Sequence, residues 1–273
     1  MNQSSGKTEL TLLKTEIRKV WGFPILELAV GFIVLVSVAT IPKLQEIVAQ
    51  PEFQTTFTSM ITNAVYDSMN AQMLPLGLFC GLLVALSFAR DYEQGLMQTM
   101  LSSPLSRSSV FIVKLVAVVV PLTFLSWGFT MSMVALNYYS TATALATILQ
   151  SAIWALLTTF LAVLFYGGLA ALISLSIRRT IPAALAAMTL GFLMYFVTTL
   201  KTETIGPIAD YLSVTPFKAF IVSLGKVLGI AYEKNSLENA LPAAGFLAVA
   251  LVYALVFLVP IYYYFTRRFE IRE

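Results

Sequence analysis

Few side chains in this sequence could carry covalent or metal chemistry. Histidine is absent, which removes the commonest general base and a frequent metal ligand. The single cysteine, Cys80, sits in an apolar run and can close no disulfide within the chain. Cys80 and Met73 could offer soft sulfur to Cu(I), but the remaining methionines are scattered without ligand spacing and read as packing residues. Gly6-Lys7-Thr8 imitates the end of a P-loop. The motif needs a glycine five residues earlier, where Met1 stands, and a strand before it, for which there is no room. No Gly-x-Ser-x-Gly and no paired acids occur in an apolar stretch. Glu27 lies little more than one turn into the first such stretch, and an ionisable residue there marks a functional site by default. Near the end of the stretch it could instead reach water or pair with Arg18 or Lys19. Catalytic residues, cofactors and metals are therefore not expected in this chain.

The most informative spacing is in a polar segment between two apolar ones, running from Phe88 to Lys114. Residues 90–101 read as a short amphipathic helix with acids at its start. Ser102, Ser103 and Pro104 break it, and Ser106 caps the next helix. A short helix held under a membrane by two spans is a handle, because force applied to it would tilt both spans together. The plain alternative is a turn in which Pro104 stops one helix, Ser106 caps the next and Arg107 anchors to lipid phosphates.

The elements that position this segment follow from composition. The chain has 58% apolar and 11% charged residues and a mean hydropathy of +0.83. A soluble domain carries about 25% charge. Crossing a bilayer core takes about 20 apolar residues as a helix, since each backbone polar group must be paired inside its own segment. Six stretches qualify, at about 22–41, 73–89, 110–136, 148–177, 181–200 and 241–265. The fourth and fifth are divided only by Arg178, Arg179 and Thr180, with Pro182 following; two adjacent arginines belong in an interfacial turn. With the N-terminus inside, Lys7, Lys14, Arg18, Lys19, Arg90, Arg107, Lys114, Arg178, Arg179, Arg267, Arg268 and Arg272 face the cytoplasm, twelve of the 17 basic residues. The positive-inside rule then places both termini in the cytoplasm.

Ahead of the first span, Leu10, Leu13, Ile17 and Val20 or Trp21 recur at helical spacing with Lys14, Arg18 and Lys19 between them. Residues 1–21 thus form an amphipathic helix suited to the inner membrane interface. No cleavage pattern follows the first apolar run, which reads as a retained anchor. Residues 42–72 form a polar outer loop with room for a short helix, and 201–240 an outer segment with an interfacial or re-entrant part at 217–230. Gly77-x-x-x-Gly81 permits close helix approach. The expected fold is an all-α integral membrane protein, a single domain over 1–273 with six transmembrane helices.

The acid-x-glycine step at Glu93 and Gly95, then Leu101-Ser-Ser-Pro-Leu-Ser-Arg107, then Lys114, resembles the signature loop of ABC-2 class ABC transporter permeases. Length, six spans, cytoplasmic ends and the basic helix before span one are similar to that family, as is Lys14-Thr-Glu-Ile-Arg18 within that helix. Leu96 departs from the threonine often found after the glycine. The resemblance implies that 90–101 is a coupling helix docking on a nucleotide-binding subunit, with Glu93, Gly95, Leu101, Pro104 and Arg107 as its coupling residues. It implies two ABC ATPase subunits holding ATP and Mg, a second permease copy in a homodimer, and a multi-pass place in the plasma membrane.

The leading expectation is a permease subunit of an ATP-driven exporter, not itself an enzyme. The alternatives are a non-transporting scaffold or mechanotransmitter, or an intramembrane enzyme. The spans were expected to hold no buried charge apart from Glu27, which argues against an ion-coupled relay. The formal charge of +3 is too mild to imply nucleic acid.

Overall fold

A computed structural model describes residues 2–48, 57–102, 105–138, 142–199, 215–230 and 242–268, and every regular element among these is helical. The helices are α1 (Asn2–Val20), α2 (Ile25–Val48), α3 (Phe57–Glu93), α4 (Leu96–Ser102), α5 (Arg107–Tyr138), α6 (Ala142–Ile177), α7 (Thr180–Thr199), α8 (Pro216–Val227) and α9 (Ala243–Tyr263). α9 runs on into a π-helical turn, Tyr264–Arg268.

Among the described residues, four helices, α3, α5, α6 and α9, are long and apolar enough to cross a membrane. The described apolar part of α7, Thr180–Phe196, is shorter, and the described part of α2, Ile25–Ala39, qualifies only together with Thr8–Val20 of α1, from which it bends by 69°. Six crossings were expected, so the count by length and composition falls short at α2 and α7. The boundaries also shift. Span two was placed at 73–89 after a polar loop, yet α3 begins at Phe57 and has 37 residues, about 55 Å at ~1.5 Å per residue. The reason lies in 57–72, where Met60, Ile61, Ala64, Val65, Ser68, Met69 and Gln72 are buried at helical spacing on one face. Average polarity conceals that stripe.

α3 is the central helix, packed against α1, α2, α5, α6, α7 and α8. In lipid, helices gain little from hydrophobic contact with one another, so small residues and hydrogen bonds decide their packing. A Cβ added at Gly81 would lie 3.0 Å from the Ala187 and Met188 backbone of α7. One added at Gly77 would lie 3.6 Å from Gly191 Cα. The Gly77-x-x-x-Gly81 step is thus an intramolecular α3–α7 seam. Cys80 is buried between α3 and α6, its thiol 3.6 Å from the Val163 carbonyl.

The segment expected to be interfacial or re-entrant contains α8, whose residues Ala219–Leu224 are all buried against neighbours that include α6 and α9. Gly229, at φ 77°, ends it: the Ile230 amide donates back to the Gly225 carbonyl at 2.8 Å. Much of 201–240 lies outside the described residues.

Candidate functional site

The segment singled out in the sequence is not one helix. α3 runs straight through Arg90 to Glu93, and the chain turns at Gln94 and Gly95 before the seven residues of α4. The expected helix over 90–101 is therefore divided, because Gly95 adopts φ +71°, a left-handed conformation that glycine takes without Cβ strain. α4 buries Met97 and half-buries Met100 and Leu101, while Leu96, Gln98, Thr99 and Ser102 face outward. Pro104 lies outside the described residues. Ser106 does cap α5: its Oγ accepts the Ser109 amide at 3.0 Å. Arg107, the first residue of α5, is exposed.

Asp91, Tyr92 and Glu93, three consecutive residues at the end of α3, point in two directions. Tyr92 and Glu93 reach the α6–α7 turn. Arg178 Nη1 donates to the Tyr92 hydroxyl at 2.9 Å, and the guanidinium lies 4.9 Å from the Tyr92 ring centroid. Glu93 accepts from the Thr180 amide at 2.9 Å and the Thr180 hydroxyl at 2.6 Å. A helix starts with amides that lack intrahelical partners and with a partial positive charge, so Glu93 caps α7 from a distant part of the chain. Arg178 itself sits at φ 59° after the last turn of α6, the kink that separates the two helices.

Asp91 points the other way, into a group of four charges, three of them fully buried. Lys19 Nζ donates to both Asp91 carboxylate oxygens at 2.6 Å and to Glu16 Oε1 at 3.1 Å. Lys114 Nζ, fully buried, donates to Asp91 as well as to Glu16 Oε1 at 3.2 Å and the Ser87 carbonyl at 2.8 Å. Ser87 Oγ, 3.4 Å from Glu16 Oε2, closes the ring. Glu16, Asp91 and Lys114 have no exposed surface. Two carboxylates and two ammonium groups balance, which is the condition for burying charge at all.

This corrects two expectations. Among the described residues, the buried charges on the membrane-crossing helices are Asp91 of α3 and Lys114 of α5, whereas Glu27 is exposed in the first turn of α2. Lys19 is committed to Glu16 and Asp91 rather than to Glu27. The helix before the first span packs the C-terminal part of its expected apolar face, Ile17 and Val20, against the core, but adds Glu16 to it and leaves Leu10 outside. Glu16 and Val20 turn inward while Leu10 is 69% exposed, because α1 packs along α5 and not only against lipid. Ser109 Oγ donates to Glu9 at 2.8 Å and Trp21 Nε1 to the Ala117 carbonyl at 2.9 Å, so α1 follows α5 in the same sense.

Aromatic rings bring the C-terminal end to the same place. Phe265, in the π turn, has its ring centroid 6.2 Å from that of Phe88 and 5.4 Å from that of Phe111, and the Tyr262 hydroxyl is 2.6 Å from Ser108 Oγ. Of the residues singled out in sequence, Glu93, Gly95, Leu101 and Arg107 thus lie on one assembly, and Glu27 stands apart from its hydrogen bonds. The residues missed were Glu16, Lys19 and Asp91. One available signal was Lys114, a lysine four residues into an apolar stretch, which requires a carboxylate partner.

The profile of the ABC-2 family transporter proteins matches residues 15–268. This chain belongs to that family. The match begins inside α1 and ends in the π turn, so Glu16, Lys19, Asp91 and Lys114 of this ABC-2 membrane protein all fall within it. It is a multi-pass membrane protein of the permease type. A search of the curated proteins finds no match.

Proposed function

We propose that this ABC-2 permease is the membrane-spanning subunit of an ATP-driven exporter, with α4 and the Gly95 turn as the place where a separate ATPase subunit docks. The observation that supports this most is α4 itself, a short helix that leaves Leu96, Gln98 and Thr99 exposed while its base is fastened to three other segments. An outward apolar residue such as Leu96, 41% exposed beside a polar loop, suits a protein contact. In this reading α2, α3, α5, α6, α7 and α9 make six crossings, both termini are cytoplasmic and the membrane is the plasma membrane. Two copies form the pathway, and two ATPase subunits hold ATP and Mg.

Glu93 and Arg107 take different parts. Glu93 holds α7 to the end of α3, and exposed Arg107 at the start of α5 faces the partner or the lipid phosphates. An apolar pathway fits amphiphilic or lipid-like cargo. Co-purification tests the docking: the parent chain should carry a stoichiometric ATPase through affinity capture, and Leu96→Asp should release it while leaving membrane insertion intact. An ATPase that stays bound to Leu96→Asp would remove α4 from the interface.

A further inference from the structure

We infer that Asp91 and Lys114 are positioning residues that join the docking turn to α1 and α5, so that these segments move as one body when α4 is pushed. The inference rests on the reading of α4 as the docking element.

Asp91 is two residues from the end of α3, and α4 begins only five residues beyond it. Its carboxylate is gripped from two sides, by Lys19 of α1 at 2.6 Å and by Lys114 of α5. Glu16 touches the same two ammonium groups at 3.1 and 3.2 Å. Each ammonium therefore bridges the same two carboxylates, and no one of the three helices can slide without separating opposite charges in a site where Glu16, Asp91 and Lys114 have no exposed surface and Lys19 alone reaches solvent. Charges buried in low dielectric strongly resist separation.

Two further contacts fix α1 along α5 on either side of the charges, Glu9 to Ser109 and Trp21 to Ala117. Lys114 also holds the Ser87 carbonyl, one turn of α3 before Asp91. Neither an interfacial anchor nor a turn-forming loop requires any of this. α1 becomes part of the lever, and movement of α4 reaches the far end of α5 instead of being absorbed by bending at the end of α3.

The test separates charge balance from positioning. Asp91→Asn and Lys114→Met each leave an odd charge in the buried site, and both should lower thermal stability and yield. The double variant Asp91→Asn/Lys114→Met leaves Glu16 paired with Lys19 and should recover folding and ATPase co-purification. Transmission is read at the other end of α5, with Leu136→Cys labelled by a membrane-impermeant maleimide with and without ATP and vanadate. Leu136 is 69% exposed and native Cys80 is buried.

In the parent the labelling rate should depend on nucleotide. In the double variant the two rates should become equal although ATP is still hydrolysed. A double variant that keeps the parent's ratio of rates would show that the four charges serve folding alone, and the inference fails.

A second measurement covers a double variant that does not fold. Glu9→Cys/Ser109→Cys, oxidised to tie α1 to α5, should leave the nucleotide-dependent labelling at Leu136→Cys unchanged. Its loss on oxidation, with recovery on reduction, would mean that α1 must move against α5, and would overturn the inference. Failure of the parent chain to retain any ATPase would instead refute the docking reading, and the inference with it.

Discussion

Asp91 and Glu93 are two residues apart on α3, and their environments are opposite. Asp91 has no exposed surface and meets two ammonium groups, while Glu93 is exposed and holds α7 through one threonine. Both tie the end of α3 to another helix. Water decides the difference between them. Breaking one partner of a buried ion pair leaves an uncompensated charge and costs about 3–5 kcal/mol. An exposed contact is screened, and solvent replaces it at little cost. The inner tie thus suits a permanent joint, and the outer one a contact that solvent can replace.

Mutations rank these ties. Asp91→Asn should be the most damaging single change, lowering stability by about 3–5 kcal/mol in thermal unfolding of the detergent-solubilised protein. A loss of less than about 1 kcal/mol would erase the contrast. Arg178→Ala removes the stacking on Tyr92 and the bond to its hydroxyl. It should cost about 1 kcal/mol, the size of a partly exposed cation–π contact. Glu93→Ala should shift the melting temperature only slightly, while cysteine crosslinking between the α3–α4 turn and the start of α7 should fall. A melting shift as large as that of Asp91→Asn would place Glu93 among the permanent joints. Glu27→Gln should change neither stability nor nucleotide-dependent labelling, because an exposed acid in a first helical turn contributes only a weak dipole interaction.

The fastening explains why sequence spacing singled out the segment proposed for docking but misread its form. Glu93, Gly95, Leu101 and Arg107 were singled out by their resemblance to a family motif, whereas turn and cap residues are legible because they act on their immediate neighbours. The Ser106 cap on α5 has the same local cause. The division of 90–101 at Gly95 was also local, yet continuous helical periodicity concealed it until the φ of +71° was seen. Asp91 looked like any acid near a membrane surface. Its partners lie 72 residues before it and 23 after it, and no local pattern links them. Glu16 looked like the polar side of a surface helix for the same reason.

Local composition and periodicity were enough for the helical, membrane-embedded character of the chain, the cap at Ser106 and the close approach at Gly81. Each follows from transfer of side chains into lipid or from contacts within a turn or two of backbone. Only the tertiary structure decided which charges are buried, which face of α1 turns inward, that α3 extends back to Phe57, and that Glu93 caps a helix 87 residues away. Those outcomes depend on which distant segments meet, and a buried charge becomes stable only once its partner has arrived from another helix.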